Sequence, residues 1–314
     1  MVKRILLAGE SWMSYTTHVK GADAFYTSVY ETGEKYLKAA LEEGGYEFTF
    51  LPNHLATEEF PFTMDGLRQY DLIILSDIGA NTLLLPTLTF TRSQIQPNRC
   101  SLIKNYVLEG GALLMIGGYL TFSGVDAKGK WQDTPVQDVL PVRILPTDDR
   151  MEHCEGVRPV KAADHAVLDG IDTEWPLILG YNKTIAKPEA VIPVKVEDNP
   201  FIALGEYGKG RSAALQRIVL LTGPLLGSAN GPGTGKSSVI WQNGSRTDEK
   251  QCINNGIGSG SHAYHTYACR IQSRYLSIPR LYFLITLHMR ILMRSTAATA
   301  AAAGTAGASL ARLL

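Results

Sequence analysis

Three short runs in this chain are apolar at every position, and each breaks abruptly into glycine and polar residues. Ile5-Leu6-Leu7-Ala8 gives way to Gly9-Glu10-Ser11-Trp12, and Leu72-Ile73-Ile74-Leu75 to Ser76-Asp77-Ile78-Gly79-Ala80-Asn81. Leu113-Leu114-Met115-Ile116 gives way to Gly117-Gly118-Tyr119-Leu120-Thr121-Phe122. A strand without alternation has to be covered on both faces, which is the condition of a parallel sheet sandwiched between helices. Helical texture falls between the runs. Residues 33–43 place Tyr36, Leu37, Ala40 and Leu41 on one face before Gly44-Gly45, and residues 102–108 end at Gly110-Gly111, a glycine stop that suits a left-handed helix end. Glu47–Leu51 adds a strand closed by Pro52, and Ala112–Ile116 a further one. Alternating strands and helices of this kind predict an α/β layer.

After Pro135 the texture changes to short strands at 142–145, Val191–Val196, 201–207 and 211–215, with Tyr207-Gly208-Lys209-Gly210 as a hairpin turn between the last two. Antiparallel β structure is therefore expected to finish the layer. At Gln216 the pattern stops. From Arg217 onward lie ten of the 30 Lys+Arg but two of the 30 Asp+Glu, which leaves 20 against 28 before it. The zero net charge thus sums a first part of −8 and a tail of +8. An acidic first part argues against nucleic-acid binding there, because phosphate contacts need clustered Lys and Arg. The tail is rich in Gly, Asn and Ser and ends in an Ala/Gly/Thr run at 297–308. Residues 217–314 are accordingly expected to be a disordered extension of a domain spanning 1–216.

Cys100, Cys154, Cys252 and Cys269 are scattered without a C-x-x-C pair, so neither a metal site nor a disulfide framework is expected, and reduced thiols point to the cytoplasm. Residues 1–8 are too short for a signal peptide. Residues 281–293 are too short to span a bilayer and carry His288 and Arg290, so no membrane association is expected. The tail segment Gly231-Pro232-Gly233-Thr234-Gly235-Lys236-Ser237 imitates a phosphate-binding loop. The first glycine that such a loop requires falls on Asn230, and the following 239–244 is poor helix material. A P-loop NTPase is the weakest of the functional readings.

In open α/β sheets ligands bind beyond the carboxyl ends of the strands, so the three breaks together predict one composite site. Glu10, Ser11, Trp12, Asp77, Asn81, Tyr119 and Thr121 are its candidate lining residues. His18 joins them, because His18, Tyr26, Tyr30 and Glu31 follow Trp12 in what reads as one loop and helix, with Phe25, Tyr26 and Tyr30 as helix packing. Arg92, Asn98 and Arg99 form a polar segment before the next helix that suits either an anion or solvent. Gly117-Gly118-x-Leu-x-Phe has the form of the sharp turn that carries a nucleophile in many α/β enzymes. Tyr119 stands at that turn, and tyrosine with its pKa near 10 is a poor nucleophile unless strongly activated.

Taken together, the segment Leu6–Trp12, Phe25-Tyr26-Thr27-Ser28 with Tyr30-Glu31-Thr32-Gly33, Leu51-Pro52-Asn53-His54, the segment 76–81 and the segment 117–122 resemble the glutamine amidotransferase-like family. This is a bacterial branch of the class I amidotransferase fold, near the trehalose-utilisation-type proteins. The resemblance covers residues 1–216. It implies a flavodoxin-like three-layer α/β/α domain with a mostly parallel central sheet and added antiparallel hairpins. Class I amidotransferases carry Cys at the elbow, where Tyr119 stands here, and their His and Glu partners come after the last sheet strands, where this chain departs from the pattern. Family members continue past Gly205-Glu206-Tyr207-Gly208-Lys209-Gly210-Arg211 into a Pro-His-Trp segment and a closing amphipathic helix. When residues 217 onward are back-translated and read from the third base of each codon, codons can be chosen that give Pro-His-Trp, a helix ending Lys-Val-Phe-Ser-Asn-Leu-Ala-Glu-Trp-Ile, and then a stop at Thr247-Asp248. The tail is therefore read as out of frame.

The expected function is the binding of a small polar metabolite at the strand ends by a cytoplasmic domain without cofactor, metal or nucleic acid, with homo-oligomerisation left open. A glutamine-hydrolysing amidotransferase or related hydrolase is the alternative, with Tyr119 at the elbow position and its catalytic set unassigned.

Overall fold

A computed structural model describes residues 2–170 and 175–217, together with the backbone of 240–242 and 245–247. The first part of the chain builds β1 (Arg4–Gly9), β2 (Ser11–Lys20), β3 (Asp23–Thr32), α1 (Lys35–Glu43), β4 (Glu47–Leu51), α2 (Asn53–Glu59) and α3 (Met64–Leu67). There follow β5 (Leu72–Ser76), α4 (Ala80–Leu84), α5 (Thr87–Arg92), α6 (Arg99–Leu108), β6 (Ala112–Ile116) and α7 (Pro135–Asp138). The antiparallel part comprises β7 (Val142–Ile144), β8 (Arg150–Val157), β9 (Val160–Lys161), β10 (Ile178–Asn182), β11 (Thr184–Ala186), β12 (Val191–Val196), β13 (Asn199–Tyr207) and β14 (Gly210–Leu215).

Eight strands form one sheet in the order β4-β1-β5-β6-β14-β13-β12-β9. β4, β1, β5, β6 and β14 run parallel, while β13, β12 and β9 continue the sheet in antiparallel pairs. This is the expected α/β architecture with a mostly parallel centre and added antiparallel strands. The all-apolar runs explain why β1, β5 and β6 sit centrally. Leu72 to Leu75 and Leu113, Met115 and Ile116 are fully buried, and Leu6, Leu75, Met115, Phe60, Ile103 and Trp131 share one core with residues of α6. A second, smaller cluster joins Trp175, Ile178, Tyr181, Val194 and Phe201 around the antiparallel part.

The register decides where the site can lie. Gly9 is opposite Ser76, Ser76 opposite Ile116, and Ile116 opposite Leu215, so four parallel strands end in one row. The residues that follow in that row are Glu10, Asp77, Gly117 and Gln216. β1 has β4, which follows it in the chain, on one side and β5 on the other, so the connections leave the β1–β5 junction in opposite directions. Such a switch point opens a crevice beyond the strand ends.

One sequence expectation is corrected. Residues 11–32 form no loop and helix but a hairpin of two ten-residue strands, β2 and β3, paired from Ser11↔Thr32 to Lys20↔Asp23. The charged residues Lys20, Asp23 and Glu31 share one face of the pair, and both strands are rich in the aromatic and β-branched residues that favour strand over helix. Phe25, Tyr26 and Tyr30 are exposed on this hairpin instead of packing a helix. The segment containing Arg99 also differs from expectation. Cys100 lies within α6, and Arg99 is fully buried, its guanidinium donating to the carbonyls of Leu83 (2.7 Å), Ala56 (3.1 Å) and Thr82 (3.1 Å) and lying over the Phe62 ring. Burial lowers its pKa to about 10. With its donors committed to main-chain oxygens, Arg99 is a cross-brace between α2, α4 and α6, not an anion site.

Ile240–Gln242 and Ser245–Thr247, β15 and β16, pair as a short antiparallel hairpin that belongs to a different compact unit from residues 2–217 and is described by itself. The phosphate-loop-like segment 231–237, Cys252, Cys269 and the apolar segment 281–293 lie outside the described residues, as does the question of the tail's reading frame. Among the described residues no helix is long and apolar enough to cross a membrane.

Candidate functional site at the ends of β1, β5 and β6

Gly9 makes the crevice possible. Its φ of +121° is open to glycine alone, and a Cβ there would fall 1.7 Å from the Ser76 carbonyl oxygen. The chain then turns sharply at Glu10 (φ 47°), and β5 turns the same way at Asp77 (φ 44°). Left-handed conformations in non-glycine residues cost of order 1–3 kcal/mol and persist where the surroundings enforce them. Here the enforcement is visible. Glu10 donates its N–H to the Ser76 carbonyl (2.9 Å) and receives that of Gly33 on its own carbonyl (2.8 Å), which ties the base of the hairpin to the sheet.

These turns drive the Glu10 side chain inward. It is fully buried, accepts a hydrogen bond from Ser76 Oγ on Oε1, and leaves Oε2 without a partner. Loss of hydration raises its pKa to about 8, against the opposing pull of Ser76 and with further upward pushes from the charges of Asp77 and Glu34. At neutral pH Glu10 is therefore a carboxylic acid and can donate as well as accept. Asp77 is also raised, chiefly by burial, with the backbone N–H groups of Leu120 and Tyr119 opposing. Its Oδ1 accepts from Leu120 N–H at 2.9 Å. Glu34, which precedes α1, has a buried Oε2 without a partner of its own.

The turn after β6 is held from both sides. Asn182 accepts the Gly118 N–H (2.9 Å) and donates to the Gly118 carbonyl (3.1 Å) and to Asp149 (2.8 Å). Asp149 in turn accepts the N–H groups of Ser123 (2.8 Å) and Gly124 (2.9 Å). A Cβ on Gly118 would come within 2.6 Å of Asp77 Oδ1, so glycine lets the turn press against β5. Tyr119 at the elbow is 55% exposed, with Arg150 over its ring at 5.9 Å. No thiol stands at the elbow. Cys100 is buried in α6 with its pKa pushed up to about 12 by desolvation, and Cys154 is exposed on β8.

The other candidates divide. Ser11 is buried, its Oγ accepting the Asn53 N–H (2.7 Å), while the Asn53 amide donates to the carbonyls of Ser11 (2.8 Å) and Asp77 (3.1 Å). Trp12 lies at the hairpin base and donates to Glu31 (3.0 Å). Ser11, Trp12, Met13, Tyr30, Asn53 and His54 line a cavity of about 570 Å³ with largely apolar walls. Thr121 is buried with its hydroxyl unpartnered. Asn81 is exposed on the first turn of α4. His18 is seven residues along β2 from the buried Ser11, stacked on Phe25 and bonded to Thr27, and so is displaced from the strand ends. Among the described residues no cluster of three His, Cys, Asp or Glu is arranged to hold a metal ion.

Sequence reading missed Ser76, Glu34, Asn53, Asp149, Asn182 and Gln216. Asn53 had a signal: it stands two residues beyond strand Glu47–Leu51, at the same kind of strand end as Glu10. Asn182 and Asp149 gave none, because only tertiary folding brings the antiparallel part beneath the β6 turn. Gln216 is fully buried at the end of β14 and neither side-chain amide atom has a partner.

Comparison with known proteins is consistent with this geometry. No protein with a curated description matches the chain. Two solved structures do, both of cytoplasmic proteins of Salmonella typhimurium. STM3548 is 39% identical over 69% of this chain and 88% of its own, with a TM-score of 0.67. STM1381, of strain LT2, is 41% identical over 68% and 88%, with a TM-score of 0.66. The family described as "Putative glutamine amidotransferase" matches residues 4–227, eleven residues beyond Gln216. By its sheet, its strand-end turns and this match over most of its length, the chain belongs to the glutamine amidotransferase-like family.

Proposed function

We propose that this protein binds a small polar metabolite, one bearing an amide, amino or hydroxyl group, at the ends of β1 and β5, and that it does so in the cytoplasm without hydrolysing glutamine. The observation that carries this reading is Glu10, a buried acid at the switch point with one oxygen unpartnered beside Asp77 and a similarly unpartnered Glu34. Buried polar groups are almost always satisfied, so two unmet carboxyl oxygens beside a crevice suit a ligand that supplies the partners. A protonated Glu10 offers a donor to a carbonyl or hydroxyl oxygen, while Asp77 and Glu34 accept from N–H or O–H. The neighbouring cavity is within the range of about 300–1,000 Å³ usual for ligand pockets, and its aromatic walls suit the apolar part of such a molecule. The two Salmonella relatives, each described as cytoplasmic, support the location.

Glutamine hydrolysis is the weaker reading, because it needs a thiolate that Tyr119 cannot replace. The two readings separate in one set of measurements. Thermal shift with L-glutamine, L-asparagine, acetamide and simple polyols should give a stabilising compound whose effect falls in Glu10→Gln and Asp77→Asn but not in Cys154→Ser. Ammonia should not be released from L-glutamine. If every probe leaves the melting temperature unchanged, or the effect is indifferent to Glu10, the binding reading is wrong. Ammonia release lost in Tyr119→Phe would put catalysis in its place.

A further inference from the structure

The hairpin β2–β3 stands apart from the sheet as a separate two-stranded ribbon. An isolated two-stranded hairpin is marginal in water and needs a further strand or a packing partner to be stable. The pairing register sorts its side chains onto two unlike faces. Trp12, Ser14, Thr16, His18 and Lys20 lie with Glu31, Val29, Thr27, Phe25 and Asp23. That face holds all the charge, and its groups satisfy one another: Trp12 and Ser14 donate to Glu31, His18 pairs with Thr27 and stacks on Phe25, and Lys20 lies over the Phe25 ring. The opposite face pairs Met13 with Tyr30, Tyr15 with Ser28, Thr17 with Tyr26 and Val19 with Ala24. It carries no charge at all.

That uncharged face is open to solvent. Tyr15 is 76% exposed, Tyr26 75%, Val19 70%, Met13 46% and Tyr30 45%. With aromatic side chains of about 200 Å² each, these five offer roughly 600 Å². A contiguous patch of this size is at the upper end of what a monomer leaves exposed, and such patches are often functional. A face without charge meets no repulsion when it is placed against itself, as a two-fold axis requires. Two copies would bury about 1,200 Å², which reaches the lower bound of specific interfaces, about 1,200–2,000 Å². Thr17, Ala24 and Ser28 would add to that.

We propose that this face docks on the same face of a second copy of the chain, the two hairpins crossing antiparallel about a two-fold axis near Ser28 and Thr17. Each hairpin is about 33 Å long at 3.3 Å per residue. In this arrangement the tip of one, with Val19 and Ala24, reaches the base of the other, where Met13, Tyr30, Trp12 and His54 line the apolar cavity. The second copy thereby closes the cavity that adjoins Ser11, and the strand-end crevice becomes complete only in the dimer.

Sedimentation and light scattering on the full chain at about 10 µM should give a dimer. The double variant Tyr15→Lys, Tyr26→Lys should raise the dissociation constant at least about tenfold, because four added cations then face one another across the axis. Thr16→Lys, on the opposite face, should leave the dimer intact. Ser28→Cys should form an interchain disulfide on mild oxidation, and Thr16→Cys should not. None of these side chains packs in either core cluster, so the melting temperature of the monomeric variant reports whether the domain remains folded. A monomeric wild-type chain, a dimer that survives the double variant, or equal cross-linking from both cysteine positions would each overturn the proposal.

Discussion

Replacing Glu10 by glutamine tests the strand-end site most directly, because the acid's burial makes stability depend on pH in a direction that can be worked out. In the unfolded chain the carboxyl titrates near 4.5, and in the folded protein near 8. Below 4.5 both states hold the proton, and above 8 neither does. Between these values the folded state holds a proton that the unfolded state has released. Stability from this group is therefore fully present below pH 4.5 and is lost as pH rises towards 8. One pH unit within the window corresponds to about 1.4 kcal/mol, so the whole window is worth on the order of 5 kcal/mol, a large share of a domain's net stability of about 5–15 kcal/mol. Glutamine keeps an acceptor for Ser76 Oγ but carries no titrating proton. Its amide nitrogen takes the place of the unpartnered Oε2, a loss of about 1–3 kcal/mol that does not vary with pH. Urea denaturation followed by tryptophan fluorescence at pH 5, 6, 7 and 8 should show the wild type losing stability relative to Glu10→Gln at each step, with the variant the more stable at pH 8. Asp149, whose pKa is also raised by burial, titrates in both proteins and drops out of the difference, whereas Asp77 is coupled to Glu10 and its part belongs to the same effect. Parallel profiles would refute the reasoning: Glu10 would then be charged or hydrated in the folded state, and no neutral donor would exist at the switch point.

Other consequences are simpler to check. Asn182→Ala removes both bonds to Gly118 and the donor to Asp149, and should lower stability by about 2–4 kcal/mol, with faster hydrogen exchange at Ser123 and Gly124 as the local readout. Gly9→Ala drives a Cβ into the Ser76 carbonyl and should give no folded protein by circular dichroism, the cost exceeding about 4 kcal/mol. Iodoacetamide at pH 8 should label Cys154 and leave Cys100 unmodified in the native protein, as peptide mass mapping will show, without reducing the binding of any ligand found. We further propose that restoring the reading frame after Gln216 returns a helix with about five large apolar side chains, each worth roughly 1.5–3 kcal/mol if buried. The frame-corrected chain should melt well above this one, and equal melting temperatures would dispose of the out-of-frame reading.

The sheet was legible because its central strands are buried on both faces. A run such as Leu72-Ile73-Ile74-Leu75, four residues between Asp71 and Ser76-Asp77, is too short for a helix and fits a buried strand, and Glu47–Leu51, Ala112–Ile116 and Val191–Val196 end where the sequence predicts. The hairpin was misread for a physical reason. Phe25, Tyr26 and Tyr30 are spaced one and four apart, which fits a helix face, and only the pairing with β2 places Tyr26 and Tyr30 on one face and Phe25 on the other. Arg99 shows a different limit: an arginine among polar residues reads as surface until the carbonyl ends of α2 and α4 converge on it. The strand-end residues Glu10 and Asp77 could be named from sequence because topology fixes their place, whereas Asn182 and Asp149, contributed by the antiparallel part, could not.

The proposed site lies at β1 and β5, and the elbow after β6 shows why. A catalytic elbow presents its side chain to substrate and keeps nearby N–H groups free to receive developing charge. Here the N–H groups of Gly118, Leu120, Ser123 and Gly124 are already bound to Asn182, Asp77 and Asp149. The turn after β6 is thus a fixed wall, and Tyr119 points from it into solvent. Asp77 joins the two halves of the arrangement. One of its oxygens fixes the wall, while its charge helps to keep Glu10 protonated. The unmet polar atoms near the strand ends include the Thr121 hydroxyl and the Gln216 amide, but the unmet carboxyl oxygens belong to Glu10 and Glu34. In the proposed reading, a ligand that answers them enters from the hairpin side, over Ser11 and Trp12, where the apolar cavity lies.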